Sequence, residues 1–188
     1  MDVLQPEFAG LSWGALFTQY HEAVVQIARD NPDMRIVLKT KARERDGRAA
    51  LELVQSLTPP PNLEIAVGGD PLTLLAASDA VLGFNTTGLC EAIAMGVPVI
   101  VPDFAEAAAG PTADFVTDLG EAVFRAQSPQ ELVMLAARLA RDPAARWPAL
   151  DIARETVLHE WVGNADGQAG RRVAAAIRSE CDIQRKAA

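Results

Sequence analysis

Apolar and polar positions along this chain follow two rhythms, one suited to helices and one to buried strands. Leu16, Tyr20, Ala23, Val24, Ile27 and Ala28 recur at helical spacing. They predict a helix from Ser12, acting as its cap, to about Asn31, where Asn31-Pro32-Asp33 stops it. Met34–Leu38 then reads as a buried strand ending at Lys39-Thr40-Lys41. A helix follows from about Gly47 to Leu57, ended by the prolines at 59 to 61. Leu63–Val67 is a second strand, and Gly68-Gly69-Asp70 turns into a short helix, Pro71–Ser78. Asp70 before Pro71 has the form of an N-cap with proline at the first helical position.

The densest signal is Asp79–Pro102, DAVLGFNTTGLCEAIAMGVPVIVP. It predicts a strand to Phe84, a polar turn Asn85-Thr86-Thr87-Gly88, a helix Leu89–Met95 closed by Gly96, and a strand Val97–Val101. An unusually long loop, about Pro102 to Leu119, comes next. Glu121–Phe124 is a further expected strand. Ser128-Pro129-Gln130-Glu131 reads as a capping box before a helix to Arg141. Two helical patterns close the chain, about Pro143–Trp161 and Gln168–Arg185. Strands alternating with helices predict an α/β fold, a parallel sheet with crossover helices, in one domain spanning residues 1–188. Residues 1–10 are expected to form an irregular or truncated first strand around Val3-Leu4-Gln5, and 143–188 the C-terminal helices.

Composition sharpens this. At 188 residues and 49% hydrophobic, the chain can bury one substantial core. The first ten residues lack the basic and long apolar regions of a signal peptide. No apolar run approaches the roughly 20 residues of a membrane span. A net charge of −8 argues against a general nucleic-acid binder, but leaves room for a small phosphorylated ligand held by helix N-termini and local cations. Cys90 and Cys181 lie far apart and suggest neither a disulfide framework nor a metal site, which fits a reducing cytoplasm.

Five places could carry chemistry. Thr86 and Thr87 can donate hydroxyls to phosphate oxygens and Gly88 permits close backbone approach, in a strand-to-helix turn that otherwise reads as a simple cap by Asn85 or Thr86. Glu91, on the first turn of that helix, either accepts from ribose hydroxyls or merely matches the helix dipole. Lys39-Thr40-Lys41-Ala42-Arg43 is either a cationic strand end lining a crevice or a solvated loop. Gly68-Gly69-Asp70 is either a close approach to a nucleoside or a plain turn. Asp166-Gly167 with Arg171-Arg172 is either part of the site or a helix cap and solvated face. His21 and His159 have no spaced ligand cluster and read as structural, as does Cys90. No Walker loop, G-x-G-x-x-G, G-x-S-x-G or metal-ligand motif is present.

FNTTGLCEAIAMGVPVIVPDF is similar to the donor-binding segment of GT-B glycosyltransferases, in particular the bacterial capsule and surface-polysaccharide transferases. LFTQYHEAVVQIARDNPDMRIVLKTK resembles the start of their C-terminal domain, and DGQAGRR its end. The resemblance covers about Leu11 to Ile177. It implies a Rossmann-like, doubly wound domain, one half of a GT-B fold, that binds a nucleotide-sugar donor as substrate with no further cofactor and no catalytic metal. On matching positions, Thr86 and Thr87 would hold donor phosphate, with Asn85 and Gly88 in the same donor-binding turn, and Glu91 would meet the ribose or an adjacent donor hydroxyl. Gly68 and Asp70 would lie near the base, and Lys39 near phosphate or sugar.

Lys41 stands where many relatives have histidine, which puts a nucleotide-phosphate contact in doubt. No general base is evident: Asp103, Glu106, Asp114 and Asp118 lie in the long loop with no fixed geometry. The expected partners are an N-terminal acceptor-binding domain, a partner chain or a second copy. The expected location is the cytoplasm, free or peripheral to the inner membrane. Two other readings stand beside a transferase half: half of a sugar-nucleotide epimerase, and a non-catalytic interaction domain of the same fold.

Overall fold

A computed structural model describes residues 7–8, 11–40, 44–108, 112–142, 150–163 and 166–187. The N-terminal elements are β1 (Glu7–Phe8), β2 (Leu11–Ser12), α1 (Gly14–Asp30), β3 (Ile36–Thr40), α2 (Glu44–Ser56), β4 (Leu63–Val67) and α3 (Pro71–Ala76). They are followed by β5 (Val81–Leu82), α4 (Gly88–Ala94), β6 (Val99–Pro102), β7 (Phe124–Ala126), α5 (Pro129–Arg141), α6 (Leu150–Trp161) and α7 (Ala169–Ala187). Among the described residues, the strands form a small antiparallel pair, β1–β2, and two parallel ladders. One ladder pairs β3 with β4, from Ile36 opposite Leu63 to Thr40 opposite Val67. The other has the order β5–β6–β7.

β6 explains the layering. All four of its residues are buried. Side chains alternate across a strand, so Val99 and Val101 enter one apolar cluster while Ile100 enters another. The first cluster contains Leu89, Ala92 and Ile93 of α4 and Val157 of α6. The second contains most of the buried face of α1 together with Leu132, Ala136 and Leu139 of α5. A strand covered on both faces must be apolar at every position, which is the unbroken run seen in the sequence. With helices on both faces of parallel strands, the chain is a doubly wound α/β fold.

α1 is held at both ends by side chains from elsewhere. Ser12 lies in β2, and its hydroxyl approaches Gly14 N–H at a long 3.4 Å. The Glu106 carboxylate, from the long loop, instead accepts from Ala15 N–H at 3.0 Å and Leu16 N–H at 2.6 Å. This satisfies donors that a helix start leaves open and matches the positive end of its dipole. At the other end, Asn62 Nδ2 donates to the carbonyls of Ala28, Asn31 and Met34 at 2.9–3.0 Å.

Other boundaries also shift from their sequence-based positions. α2 begins at Glu44, placing Gly47 inside the helix. A Cβ there would come within 2.9 Å of Thr40 Cβ, so glycine permits the close approach of α2 to the end of β3. β5 shrinks to two residues and β3 begins at Ile36. The expected strand Glu121–Phe124 becomes β7 three residues later. Asp118 Oδ1 accepts from Gly120 N–H at 2.9 Å and starts a 3-10 turn over Gly120–Ala122. The long loop carries two further such turns, Ala105–Ala107 and Ala113–Phe115. The stub Val3-Leu4-Gln5 and the positions Lys41, Ala42 and Arg43 fall outside the described residues. No described helix is long and apolar enough to cross a membrane.

Candidate functional site

The turn between β5 and α4 is fixed from below by packing and from the side by one amide. Phe84 is buried, and its ring lies 5.3 Å from that of Trp13. A Cβ on Gly83 would strike Leu89 Cδ2 at 2.7 Å, so this position needs glycine for α4 to close on the strand. Asn85 adopts φ 47°, a left-handed conformation that asparagine tolerates better than most residues. Its amide clamps the long loop: Nδ2 donates to Phe115 O at 2.8 Å, and Oδ1 accepts from Thr117 N–H at 2.7 Å. Asn85 therefore positions the loop rather than capping α4.

The helix start is lightly capped. Thr87 occupies the N-cap position without a side-chain cap bond, and Thr86 Oγ1 accepts from Gly88 N–H at a long 3.4 Å. Leu89 and Cys90 N–H donate to the carbonyls of Thr86 and Thr87 at 3.1 and 3.0 Å. Both threonine side chains are exposed, as is Glu91 on the first turn. Burial, then the nearby Glu91 charge, raises the Cys90 thiol above its ordinary value, which favours the protonated form at neutral pH. Gly88 has no left-handed backbone to account for it. A Cβ there would meet Thr86 Oγ1 at an ordinary 3.7 Å, so among the described residues none forbids a side chain.

The far end of α4 is closed firmly. Gly96, at φ 76°, donates to Ile93 O and Val97 donates to Ala92 O, the two bonds of a Schellman motif. Arg154 of α6 adds Nε to Ile93 O at 2.8 Å and a weaker contact to Ala94 O at 3.3 Å, matching the negative end of the helix.

A second group of site residues lies on the other ladder. The carbonyl of Thr40, at the end of β3, accepts from Lys39 Nζ at 2.7 Å and from Gly68 N–H at 3.2 Å. Lys39 and Gly68 are thus brought together at the carboxyl end of β3 and β4. Gly68 and Gly69 have φ of 70° and 82°, so the turn itself accounts for both glycines. Asp70 caps α3 as its sequence suggests. It accepts from Thr73 Oγ1 at 2.6 Å and from Leu72 N–H at 3.1 Å, and these bonds, the Thr73 hydroxyl first, hold its carboxyl below the usual range.

The loop acids mostly serve the fold. Glu106 caps α1, Asp103 accepts from Gln127 Nε2 at 2.7 Å, and Asp118 pairs with Arg125 at 3.0 Å. Asp114 is exposed. Asp166 caps the start of α7 through Gln168 N–H and pairs with Arg172 at 2.9 Å, the cap-and-face alternative for that segment. His159 is exposed on α6. His21 is fully buried in α1, with Nδ1 bonded to Phe17 O at 2.7 Å and Nε2 without a hydrogen-bond partner among the described residues. Sequence reasoning passed over Phe115, whose half-exposed ring has no periodic context to mark it.

No family model and no curated protein matches the chain. Among solved structures, a putative UDP-N-acetylglucosamine 2-epimerase from Listeria monocytogenes shares its fold. The TM-score is 0.52 with 20% sequence identity, over 88% of this chain and 41% of that one. This chain therefore spans about two fifths of that protein's length. With helices on both faces of parallel strands and that likeness, the chain has the Rossmann-like fold of one half of a GT-B-type protein.

Proposed function

We propose that this chain is the nucleotide-sugar-binding half of a GT-B-type protein, of the sugar-nucleotide epimerase kind. The observation that carries the reading is the turn at Asn85–Gly88. Two exposed hydroxyls stand at the carboxyl end of a parallel strand, where open α/β sheets bind ligands, beside a glycine that the protein's own packing does not require. Thr86 and Thr87 would donate to the diphosphate, with Glu91 within the same turn for a ligand hydroxyl. Lys39 supplies positive charge in an otherwise acidic protein, and Gly68 and Asp70 border the nucleoside side. The likeness to a protein described as an epimerase favours that kind over the runner-up, the donor half of a surface-polysaccharide glycosyltransferase.

No acid of this chain is assigned as a base: the loop carboxylates Glu106, Asp103 and Asp118 are engaged in the fold. Catalysis in either kind would draw on a companion domain or chain.

Calorimetric titration with uridine diphosphate, the other nucleoside diphosphates and their N-acetylglucosamine conjugates tests the reading. Binding is expected to weaken by more than about 1 kcal/mol in the Thr86→Ala, Thr87→Ala double variant, since bonds to a charged ligand are lost. Absence of binding at millimolar ligand, or equal binding by the double variant, overturns it.

A further inference from the structure

The chain has few aromatic side chains, and among the described residues most are spent on the core, Trp161 at 49% exposure being an exception whose indole N–H is bonded to Asp118 O. Phe17, Phe84, Phe104 and Phe124 are all buried. Phe115 is 55% exposed, whereas the other apolar residues that follow it in the loop are covered: Val116 is half-buried and Leu119 buried. Its backbone is also fixed. The 3-10 turn Ala113–Phe115 is gripped by the Asn85 amide through Phe115 O and Thr117 N–H, across 30 and 32 residues of sequence. Asn85 takes a left-handed conformation while making those bonds. The outcome is an exposed apolar side chain whose backbone is anchored to Asn85, the residue before the Thr86-Thr87 pair.

Position along the strands says which part of a ligand would meet it. A nucleotide sugar has its diphosphate in the middle, with the nucleoside and the sugar at opposite ends. On the reading above, with the diphosphate on Thr86 and Thr87 after β5 and the nucleoside toward Gly68 and Asp70, which belong to the other ladder, the sugar is assigned to the side of β6. That side is the loop following β6, the next strand of the same ladder, and it is where Phe115 stands. A pyranose ring presents C–H bonds on one face, and these suit the electron-rich face of an aromatic ring.

We infer that Phe115 is a specificity-determining residue, the platform on which the pyranose ring of the ligand rests, with Asn85 as the positioning residue that holds it there. The inference rests on the nucleotide-sugar reading above and adds the sugar subsite. Phe115 makes no covalent change and moves no proton; it sets which ring is retained and how it lies.

The test compares two ligands on three proteins by calorimetry: uridine diphosphate and its N-acetylglucosamine conjugate, with the unaltered chain, Phe115→Ala and Phe115→Trp. Phe115→Ala should bind uridine diphosphate as before and lose about 3- to 10-fold for the conjugate, the size of one aromatic contact. Phe115→Trp should restore the preference. Equal loss for both ligands, or no loss for either, overturns the sugar platform while leaving the diphosphate site standing. Failure of the unaltered chain to bind either ligand, or any other nucleotide sugar, overturns the underlying reading and the platform with it.

Discussion

The two longest helices, α1 and α7, have similar lengths of 17 and 19 residues and opposite relations to the rest of the molecule. α1 buries Leu16, Phe17, Tyr20, Ala23, Val24, Val25, Ile27 and Ala28, together with His21. Its first turn is capped by Glu106, its last carbonyls by Asn62, and Arg29 reaches the Leu57 carbonyl. α7 exposes Val173 and Ile177, and its cap among the described residues is local, Asp166 with Gln168 N–H and Arg172. Both repeat apolar residues at helical spacing, so both are readable as helices. What separates them is the set of partners supplied from a distance. Periodicity announces a helix; it does not say whether anything will cover it.

The largest expected contrast comes from matched truncations. Ile27→Ala should cost about 2–5 kcal/mol, because a fully packed site leaves a cavity. Ile177→Ala, at 59% exposure, should stay within about 0.5 kcal/mol. Urea unfolding of both variants measures this, and comparable losses would show that α7 is covered in solution.

A smaller effect belongs to α1 alone. Burial lowers the pKa of His21, opposed in part by its bond to Phe17 O. The neutral ring is therefore favoured in the folded state, and the unfolded chain binds the proton more readily. Stability should hold above the unfolded value near 6.5 and fall as pH drops below it toward the lowered native value. The melting temperature of His21→Leu should change less between pH 7.5 and 5.5 than that of the unaltered chain. Identical slopes would place the acid sensitivity elsewhere.

The smallest effect belongs to α7. Arg172 first, then Gln168 N–H, holds the Asp166 carboxyl below its usual range, so this cap is present at neutral pH and lost as pH falls through the lowered value. Asp166→Ala should speed amide hydrogen exchange over residues 168–172 and leave the melting temperature unchanged. A drop in melting temperature would mean that α7 is coupled to the core after all.

The same division decides what could be read from the sequence. β4 matches its expected span residue for residue, and Asp70, Gly96 and Ser128 cap or close their helices as their local patterns suggest. In the capping box one detail moves: Glu131 accepts from Gln127 N–H rather than from the Ser128 backbone. Each of these signals is complete within a few residues. Asn85, Glu106, Asn62 and Arg154 find their partners about 30 to 90 residues away, and nothing in their own neighbourhoods points there. The turn Asn85–Gly88 was legible as a strand-to-helix turn because strand, polar turn and helix follow one another directly. Its link to Phe115 was not, because a single amide makes it.

Arg154 bears on where the chain could be divided. It closes the last turn of α4, while Trp161, at the end of the same helix α6, donates Nε1 to Asp118 O at the exit of the long loop. The helix and loop that border the Thr86-Thr87 turn are therefore each tied to residues 60 and 43 positions downstream of their contacts. The contiguous segment that supports the turn therefore extends through Trp161, and α6 belongs to its framework.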